Sequence, residues 1–281
     1  MVLVNASGCL DALAAPDVAR SLDIFVTKTV TPEPREGNEP TRIAETDHGM
    51  LNSIGLQNPG IEAFLDGVLP RLKALRIPLW VSIGGFSADD YALGAASLNG
   101  HDEIVSIEMN LSCPNVDEAP ESAAEIVAAC RAATALPLYA KLSPHLPDMA
   151  GVARAVEAAG ADGLSLVNTL RGLAFDERTL EPRLARGIGG YSGPALKPVA
   201  LAAVYACRRA TSLPIVGMGG VWNGRDVLEF EAAGASAVAL GTVLFADPGA
   251  PARIRDELQG SDDISSVPAL TTDKRPAYQL N

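Results

Sequence analysis

The feature that most constrains the fold of this 281-residue chain is a series of eight short apolar runs, rich in β-branched residues. Most of the runs are continuous and do not alternate between apolar and polar residues, which is typical of parallel strands covered by helices. The predicted strands span residues 2–7, 23–29, 78–84, 104–112, 137–143, 163–169, 214–220 and 237–243. Helical spacing of apolar residues lies between them, at 123–133, 149–159, 196–210 and 227–233.

Eight strand–helix units in a chain of this length leave about 35 residues for each unit, which is typical of a (β/α)8 TIM barrel. An open, doubly wound α/β sheet is the alternative, and the lack of a dinucleotide-binding fingerprint favours the barrel. We expect one barrel domain over residues 1–259 and a polar, aperiodic C-terminal tail over residues 260–281.

Two connections are unusually long: residues 30–60 after the second strand and residues 170–194 after the sixth. Both follow the carboxyl ends of strands, which is the face of a barrel where active sites are built. Loops of this length are uncommon unless they have a function. The two long loops therefore predict a site at this face.

The balance of charge limits the partners of the chain. Acidic residues outnumber basic ones by 34 to 22, which gives a net charge of -12 and argues against nucleic acid and anionic membranes. No apolar stretch is long enough to span a bilayer. The N-terminus lacks the pattern of a signal peptide, and the four scattered cysteines fit a reducing cytoplasm. Neither cysteines nor histidines have the spacing of metal ligands, so we expect no metal site.

Glycines stand at the ends of the last two predicted strands. Gly219 and Gly220 follow the seventh strand, and Gly241 and Thr242 follow the eighth. Backbone N–H groups at these two positions of a barrel commonly bind phosphate, although the glycines would also serve tight turns. Position favours a phosphate site.

Two lysines lie at strand ends, Lys28 in the second and Lys141 in the fifth. An ammonium group inside so apolar a run would be buried without a partner if it faced the helices. We therefore expect both side chains to point into the mouth of the barrel toward an anionic ligand, with escape to solvent as the alternative.

Four asparagines and one cysteine share this face. An amide offers both a donor and an acceptor, which suits a ring with alternating N–H and C=O groups, although each amide would also cap a turn. The asparagines are Asn52, Asn110, Asn115 and Asn168. Cys113 lies among them and is a candidate base or nucleophile, whereas Cys9, Cys130 and Cys207 are interpreted as packing residues.

These motifs, taken in order, resemble the dihydroorotate dehydrogenase family over nearly the whole chain, from Asn5 to about residue 248. The matching segments are NASG at 5–8, VTKT at 26–29, GMLNSIGLQNPG at 49–60, NLSCPN at 110–115, KLSP at 141–144, LVNT at 166–169 and GGYSGP at 189–194. Three departures from the family pattern are noted: Ser82 replaces an asparagine that close relatives often have, the segment after Asn115 is shorter than the family's lid, and the segment that the family pattern leads one to expect before the first strand does not precede it in this sequence.

The resemblance implies FMN as the cofactor. Its phosphate is expected on Gly193, Gly219, Gly220, Gly241 and Thr242. Its ring and ribityl chain are expected against Ser7, Lys28, Thr29, Ser82, Asn110, Lys141 and Val167.

The resemblance also implies the substrate, (S)-dihydroorotate, which is oxidised to orotate in pyrimidine (UMP) biosynthesis. Cys113 is expected to be the general base and Lys28 to assist, while a hydride passes to the flavin. The substrate-binding residues are expected to be Lys28, Asn52, Ser53, Ile54, Gly55, Leu56, Asn110, Asn115, Asn168 and Thr169.

Within the family the chain is most similar to the NAD-linked class 1B. That resemblance implies a homodimer or a heterotetramer with a second subunit that carries FAD and a 2Fe–2S cluster. The alternatives are the fumarate-linked homodimeric class, a related flavin reductase for another dihydropyrimidine, and a barrel that binds FMN or phosphate without turnover.

Overall fold

Eight parallel strands form the centre of the molecule in a computed structural model that describes residues 1–111 and 122–260. The strands are β1 Val2–Asn5, β2 Phe25–Val26, β3 Ile43–Thr46, β4 Gly49–Asn52, β5 Leu79–Ile83, β6 Ile104–Asn110, β7 Leu138–Leu142, β8 Gly163–Leu166, β9 Leu170–Gly172, β10 Gly189–Ser192, β11 Ile215–Met218 and β12 Ala237–Leu240. The barrel strands are hydrogen-bonded in the order β1, β12, β11, β8, β7, β6, β5, β2. Each predicted strand contains one of them, so the predicted TIM barrel is confirmed.

Helices follow the barrel strands and cover the outside. They are α1 Pro16–Arg20, α2 Ile61–Ala63 and α3 Leu69–Lys73 with the π-helical turn Phe64–Val68 between them, α4 Ala88–Ser97, α5 Ala123–Ala133, α6 Met149–Ala158, α7 Lys197–Arg208 after the 3₁₀ turn Pro194–Leu196, α8 Gly224–Ala233, α9 Val243–Ala246 and α10 Ala250–Gly260. α5 begins at a capping box in which Ser122 and Glu125 satisfy each other's backbone N–H groups. Within the described residues, no helix is long and apolar enough to cross a bilayer.

The barrel closes between β1 and β2 through a side chain. The Asn5 amide donates to the Val26 carbonyl at 2.7 Å and accepts from the Val26 N–H at 2.8 Å. A backbone bridge between Val4 and Ile24 supports this seam. Because β2 has only two residues, the buried Asn5 amide takes the place of ladder hydrogen bonds.

The interior of the barrel is filled below its mouth. One apolar cluster inside the strands contains Val4, Val26, Trp80, Val216, Met218 and Ala239. The rings of Trp80 and Tyr139 pack with their centroids 4.2 Å apart. A filled interior leaves space for a ligand only at the ends of the strands.

The two long loops pair with each other. β3 and β4 come from the first loop, β9 and β10 from the second, and they form an antiparallel sheet in the order β3, β4, β10, β9. Gly190 pairs with Asn52 and Tyr191 with Leu51. The loops are therefore partly strands, and they build a wall over the mouth of the barrel. The predicted C-terminal tail lies outside the described residues except for Gly260, which ends α10.

Candidate active site

A cavity of about 330 Å³ opens at the carboxyl ends of the barrel strands. Residues at or just beyond the ends of seven strands line it, and residues of the small sheet enclose its outer side. The predicted residues that line it are Ser7, Lys28, Thr29, Asn52, Ile54, Leu56, Asn110, Lys141, Val167, Asn168, Thr169, Gly193, Gly219, Gly220, Gly241 and Thr242. The structure thus brings most of the sequence-predicted residues together.

Three predicted residues lie behind the cavity wall. Ser82 is fully buried, and its hydroxyl is 3.0 Å from the Thr29 hydroxyl. Ser53 accepts a hydrogen bond from the Asn38 amide, and the Gly55 carbonyl accepts one from Arg35. These three residues support their neighbours and do not border the cavity. The predicted base Cys113 and the amide of Asn115 lie outside the described residues.

A chain of hydrogen bonds crosses the floor of the cavity. The Asn168 amide donates to Asn110 Oδ1 at 3.0 Å, and the Asn110 amide donates to Thr29 Oγ1 at 3.1 Å. The Tyr91 hydroxyl donates to the Asn110 carbonyl at 2.6 Å. Side chains locked in this way present amide groups in a fixed orientation, which is what recognition of a flat polar ring requires.

The glycines at the other side of the cavity form a tight backbone cradle. Gly193 and Gly220 have φ angles of 120° and 84°, and a Cβ atom on Gly220 would lie 2.9 Å from the Gly193 carbonyl oxygen. Within the described residues, the backbone N–H groups of Gly219, Gly220 and Thr242 donate to no carbonyl group. Such N–H groups suit a phosphate, and Thr242 also begins the short helix α9.

The two lysines differ in their surroundings. Burial and then the nearby positive charge of Arg42 lower the pKa of Lys28. The Lys141 ammonium is 3.4 Å from the buried carboxylate of Glu108. Both lysine side chains border the same cavity, and among the described residues only Lys141 has a carboxylate beside it.

Sequence reasoning missed several residues of the site. Ser192 lines the cavity and its hydroxyl is 2.8 Å from that of Thr242, which joins the small sheet to the glycine cradle. Trp222, in the loop after β11, and Phe245, in α9, also border the cavity. Cys9 also borders it, although burial raises the pKa of its thiol to about 11. Glu108, the partner of Lys141, was also missed. The sequence does point to it, because it is a single carboxylate within the apolar strand β6.

Comparison with known proteins gives the family. The sequence model of the family "Dihydroorotate dehydrogenase" matches residues 1–261. The chain belongs to the dihydroorotate dehydrogenase family. It is 44% identical over 256 residues to "Dihydroorotate dehydrogenase B (NAD(+)), catalytic subunit" of Listeria monocytogenes, covering 89% of this chain and 84% of that protein. The protein of the same name from Halalkalibacterium halodurans is 46% identical over 244 residues, covering 84% and 80%.

A solved structure agrees on the fold. The crystal structure of a dihydroorotate dehydrogenase from Eimeria tenella in complex with ferulenol superposes with a TM-score of 0.77. The match covers 92% of this chain and 80% of that chain at 24% identity. The predicted resemblance to dihydroorotate dehydrogenases, and to their NAD-linked class, is therefore confirmed.

The cavity fits the flavin that a dihydroorotate dehydrogenase uses. It combines a glycine cradle for a phosphate with a row of hydrogen-bonded amides and hydroxyls and with two lysine side chains. Apolar side chains, among them Met218 and Val167, border the space between the cradle and the amides. A flat ring needs such apolar walls with a few fixed polar groups.

Proposed function

We propose that this chain is the FMN-dependent catalytic subunit of an NAD-linked, cytoplasmic dihydroorotate dehydrogenase, which oxidises (S)-dihydroorotate to orotate in pyrimidine biosynthesis. One observation carries the proposal. A single cavity at the barrel mouth holds the glycine cradle, both lysines and the Asn110–Asn168 amides. The relatives that carry the name of this enzyme align with nearly the whole chain.

The residues of the cavity divide into a cofactor side and a substrate side. The backbone of Gly193, Gly219, Gly220, Gly241 and Thr242 would bind the FMN phosphate. Ser7, Thr29, Lys141 and Val167 would contact the ring and its ribityl chain, with Ser82 acting through Thr29. Bound FMN supplies the chemistry that the side chains lack, because it accepts a hydride.

Substrate binding is assigned to the side of the cavity that the small sheet encloses. Lys28 would offer a positive charge to the carboxylate of dihydroorotate, and Asn52 borders the same cavity from β4. Ile54 and Leu56 complete this wall, and Ser53 and Gly55 hold it in place. Asn110, Asn168 and Thr169 would pair with the pyrimidine edges, and Asn115 is proposed to do so from outside the described residues.

The base is assigned to Cys113, which follows β6 in the sequence. As a thiolate it would take a proton from ring carbon 5 of dihydroorotate, and Lys28 would hold the substrate for this step. The fixed amides orient the ring, and a positioned base contributes on the order of 10²- to 10⁴-fold to the rate.

A second subunit would connect this chain to NAD. Among residues 1–111 and 122–260, no group of three or more His, Cys, Asp or Glu side chains is arranged to hold a metal ion. We assign the FAD and the 2Fe–2S cluster, which the resemblance implies, to the partner subunit, and the name "catalytic subunit" of the relatives supports such a partner. We propose a homodimer of this chain that assembles with the partner into a heterotetramer.

Anaerobic titration of the purified protein with dihydroorotate tests the proposal. Bleaching of the visible flavin band, at one dihydroorotate per chain, is the expected result. Cys113→Ala should retain FMN and bleach at least a hundredfold more slowly. A protein that cannot be loaded with FMN, or loaded FMN that stays oxidised, would contradict the proposal.

The acceptor needs its own measurement. Turnover with NAD should require addition of a FAD/iron–sulfur subunit, and fumarate should not support turnover by the chain alone. Rapid turnover with fumarate would favour the fumarate-linked class. Bleaching by dihydrouracil instead of dihydroorotate would indicate a different dihydropyrimidine.

A further inference from the structure

One buried carboxylate stands next to the proposed cofactor side without bordering the cavity. Glu108 lies on β6 and is 1% exposed, although the strand around it is apolar. Its Oε1 atom is 3.4 Å from Lys141 Nζ on the neighbouring strand β7. The side chain of Lys141 is 7% exposed and borders the cavity, so only one member of the pair faces the ligand.

The pair has few other charges around it. Cys9, in the loop after β1, interacts electrostatically with both Lys141 and Glu108. Burial raises the pKa of its thiol to about 11, so the thiol stays neutral. Lys28 faces the same cavity from beyond β2. Tyr139 of β7 is the register partner of Glu108, and burial raises the pKa of its hydroxyl, so it stays neutral. The other barrel strands present Ser82 of β5, Ser165 of β8, Met218 of β11 and Ala239 of β12, which are neutral. Among the described residues, Glu108 is therefore the counter-ion of Lys141.

A buried ion pair is an expensive way to stabilise a barrel, because desolvation offsets most of the attraction. Its cost is easier to explain where one charge serves a ligand. Reduction of FMN adds two electrons and one proton, so negative charge develops beside the cationic group that faces it.

We propose that Glu108 is a positioning residue for this reaction: its carboxylate holds the Lys141 ammonium charged and directed at the cavity before FMN is reduced. This inference rests on the proposed function, because it assumes that FMN occupies the cavity. Without Glu108 the buried amine gives up its proton more readily, and it recovers that proton only when FMN becomes negative. The positive charge on Lys141 would then form only during the reduction of FMN and would not be present before it.

Proton uptake during FMN reduction tests this role without using dihydroorotate. The protein loaded with FMN is equilibrated anaerobically at several values between pH 7 and pH 9 with a redox dye of known potential at each pH, so that the protons taken up by the dye are subtracted. Uptake of one proton changes the equilibrium constant for reduction about tenfold per pH unit, and uptake of two changes it about a hundredfold. Wild type should take up one proton per FMN, and Glu108→Gln should approach two.

Two control variants separate this role from a general structural one. Glu108→Asp retains a counter-ion and should take up one proton. Glu108→Gln/Lys141→Met removes both charges, leaves no buried charge unpaired, and should also take up one. Cys113 is present in every variant, so its own titration cancels in the comparison with wild type.

Two results would overturn the inference: uptake of two protons by wild type, or uptake of one by Glu108→Gln. The wild-type measurement can overturn the inference even if Glu108→Gln does not fold. Failure of the proposed function looks different, because the protein would then not bind FMN or would not be bleached by dihydroorotate. Normal bleaching together with equal proton uptake in wild type and Glu108→Gln would reject only the role of Glu108.

Discussion

At the scale of single residues, Lys28 shows how position changes chemistry. The side chain leaves the end of a buried strand and enters a cavity that it shares with Lys141. Burial is the larger cause of its lowered pKa, and the positive charge of Arg42 is the second. Arg42 is itself held by the Asn38 carbonyl and the Gln57 side chain, so the repulsion is built into the first long loop.

The lowered pKa gives Lys28 a testable pH dependence. The ordinary pKa is 10.5, and lowering it means that the ammonium loses its charge at a lower pH than a free lysine does. As pH is raised, the dissociation constant of the anionic product orotate should therefore begin to increase at a pH lower than 10.5. We expect Lys28→Ala to weaken binding by roughly tenfold to a hundredfold at neutral pH.

The measurement is titration with orotate, followed by the shift of the flavin absorption band, from pH 6 to pH 10. Lys28→Arg is the control, because a guanidinium keeps its charge over this range. If the binding curve of wild type has the same pH dependence as that of Lys28→Arg, then Lys28 does not hold the carboxylate.

At this scale the sequence predicted the lining of the cavity well. Strand ends in a barrel converge on one face, so Asn110, Lys141 and Asn168 had to meet once the strands were correct. Glu108 was missed because it lies two residues before Asn110 on β6, deeper in the barrel than the residues that line the cavity. The hydroxyl of Ser192 was missed because its partner Thr242 is 50 residues away.

At the scale of elements, the seam between β1 and β2 is the least regular part of the barrel. The predicted second strand covers residues 23–29, whereas β2 contains only Phe25–Val26. The apolar pattern cannot show where a strand stops pairing, because residues beyond the pairing are buried by the loops. The Asn5 amide replaces the missing ladder bonds with two hydrogen bonds to Val26.

Asn5→Ala should therefore destabilise the fold. It leaves the N–H and C=O groups of Val26 buried without these partners, which costs about 2–5 kcal/mol of unfolding free energy. Urea unfolding followed by circular dichroism measures the loss. Asn99→Ala removes an exposed amide that makes two comparable hydrogen bonds and should cost less than about 1 kcal/mol. Equal losses in both variants would refute the role of Asn5 at the seam.

The loop between β11 and α8 carries a second prediction at this scale. In Gly220→Ala, the new Cβ would lie 2.7 Å from the Lys197 backbone nitrogen at a φ of 84°. Either the cradle opens or α7 moves away, so FMN should be lost on desalting. Gly100→Ala has nearly the same φ, 83°, but nothing within 4 Å of its Cβ, and it should keep FMN. The test is the ratio of FMN to protein after desalting, and full retention by Gly220→Ala would contradict the cradle.

At the scale of the whole molecule, the site depends on contacts between distant parts of the chain. The long loops were predicted to be functional, but their pairing was not, because Gly190 and Asn52 are far apart in sequence and neither loop has a strong strand pattern. The periodicity of apolar residues indicates only the local structure of a segment. The small sheet forms because the barrel brings the ends of the two long loops to the same side of the molecule. A ligand held by seven strands and this sheet should in turn stabilise all of them.

Removal of the cofactor should therefore lower the melting temperature of the entire barrel. At a free FMN concentration 100 times its dissociation constant, binding adds about 2.7 kcal/mol, which corresponds to roughly 5–10 °C for a chain of this size. Riboflavin lacks the phosphate and cannot use the N–H groups of Gly219, Gly220 and Thr242, so at the same concentration it should raise the melting temperature much less. Calorimetry on the FMN-free protein with each ligand measures both shifts. Equal shifts would mean that the phosphate makes no contact with the cradle, whereas a shift with FMN alone would place the phosphate there as the anchor of the flavin.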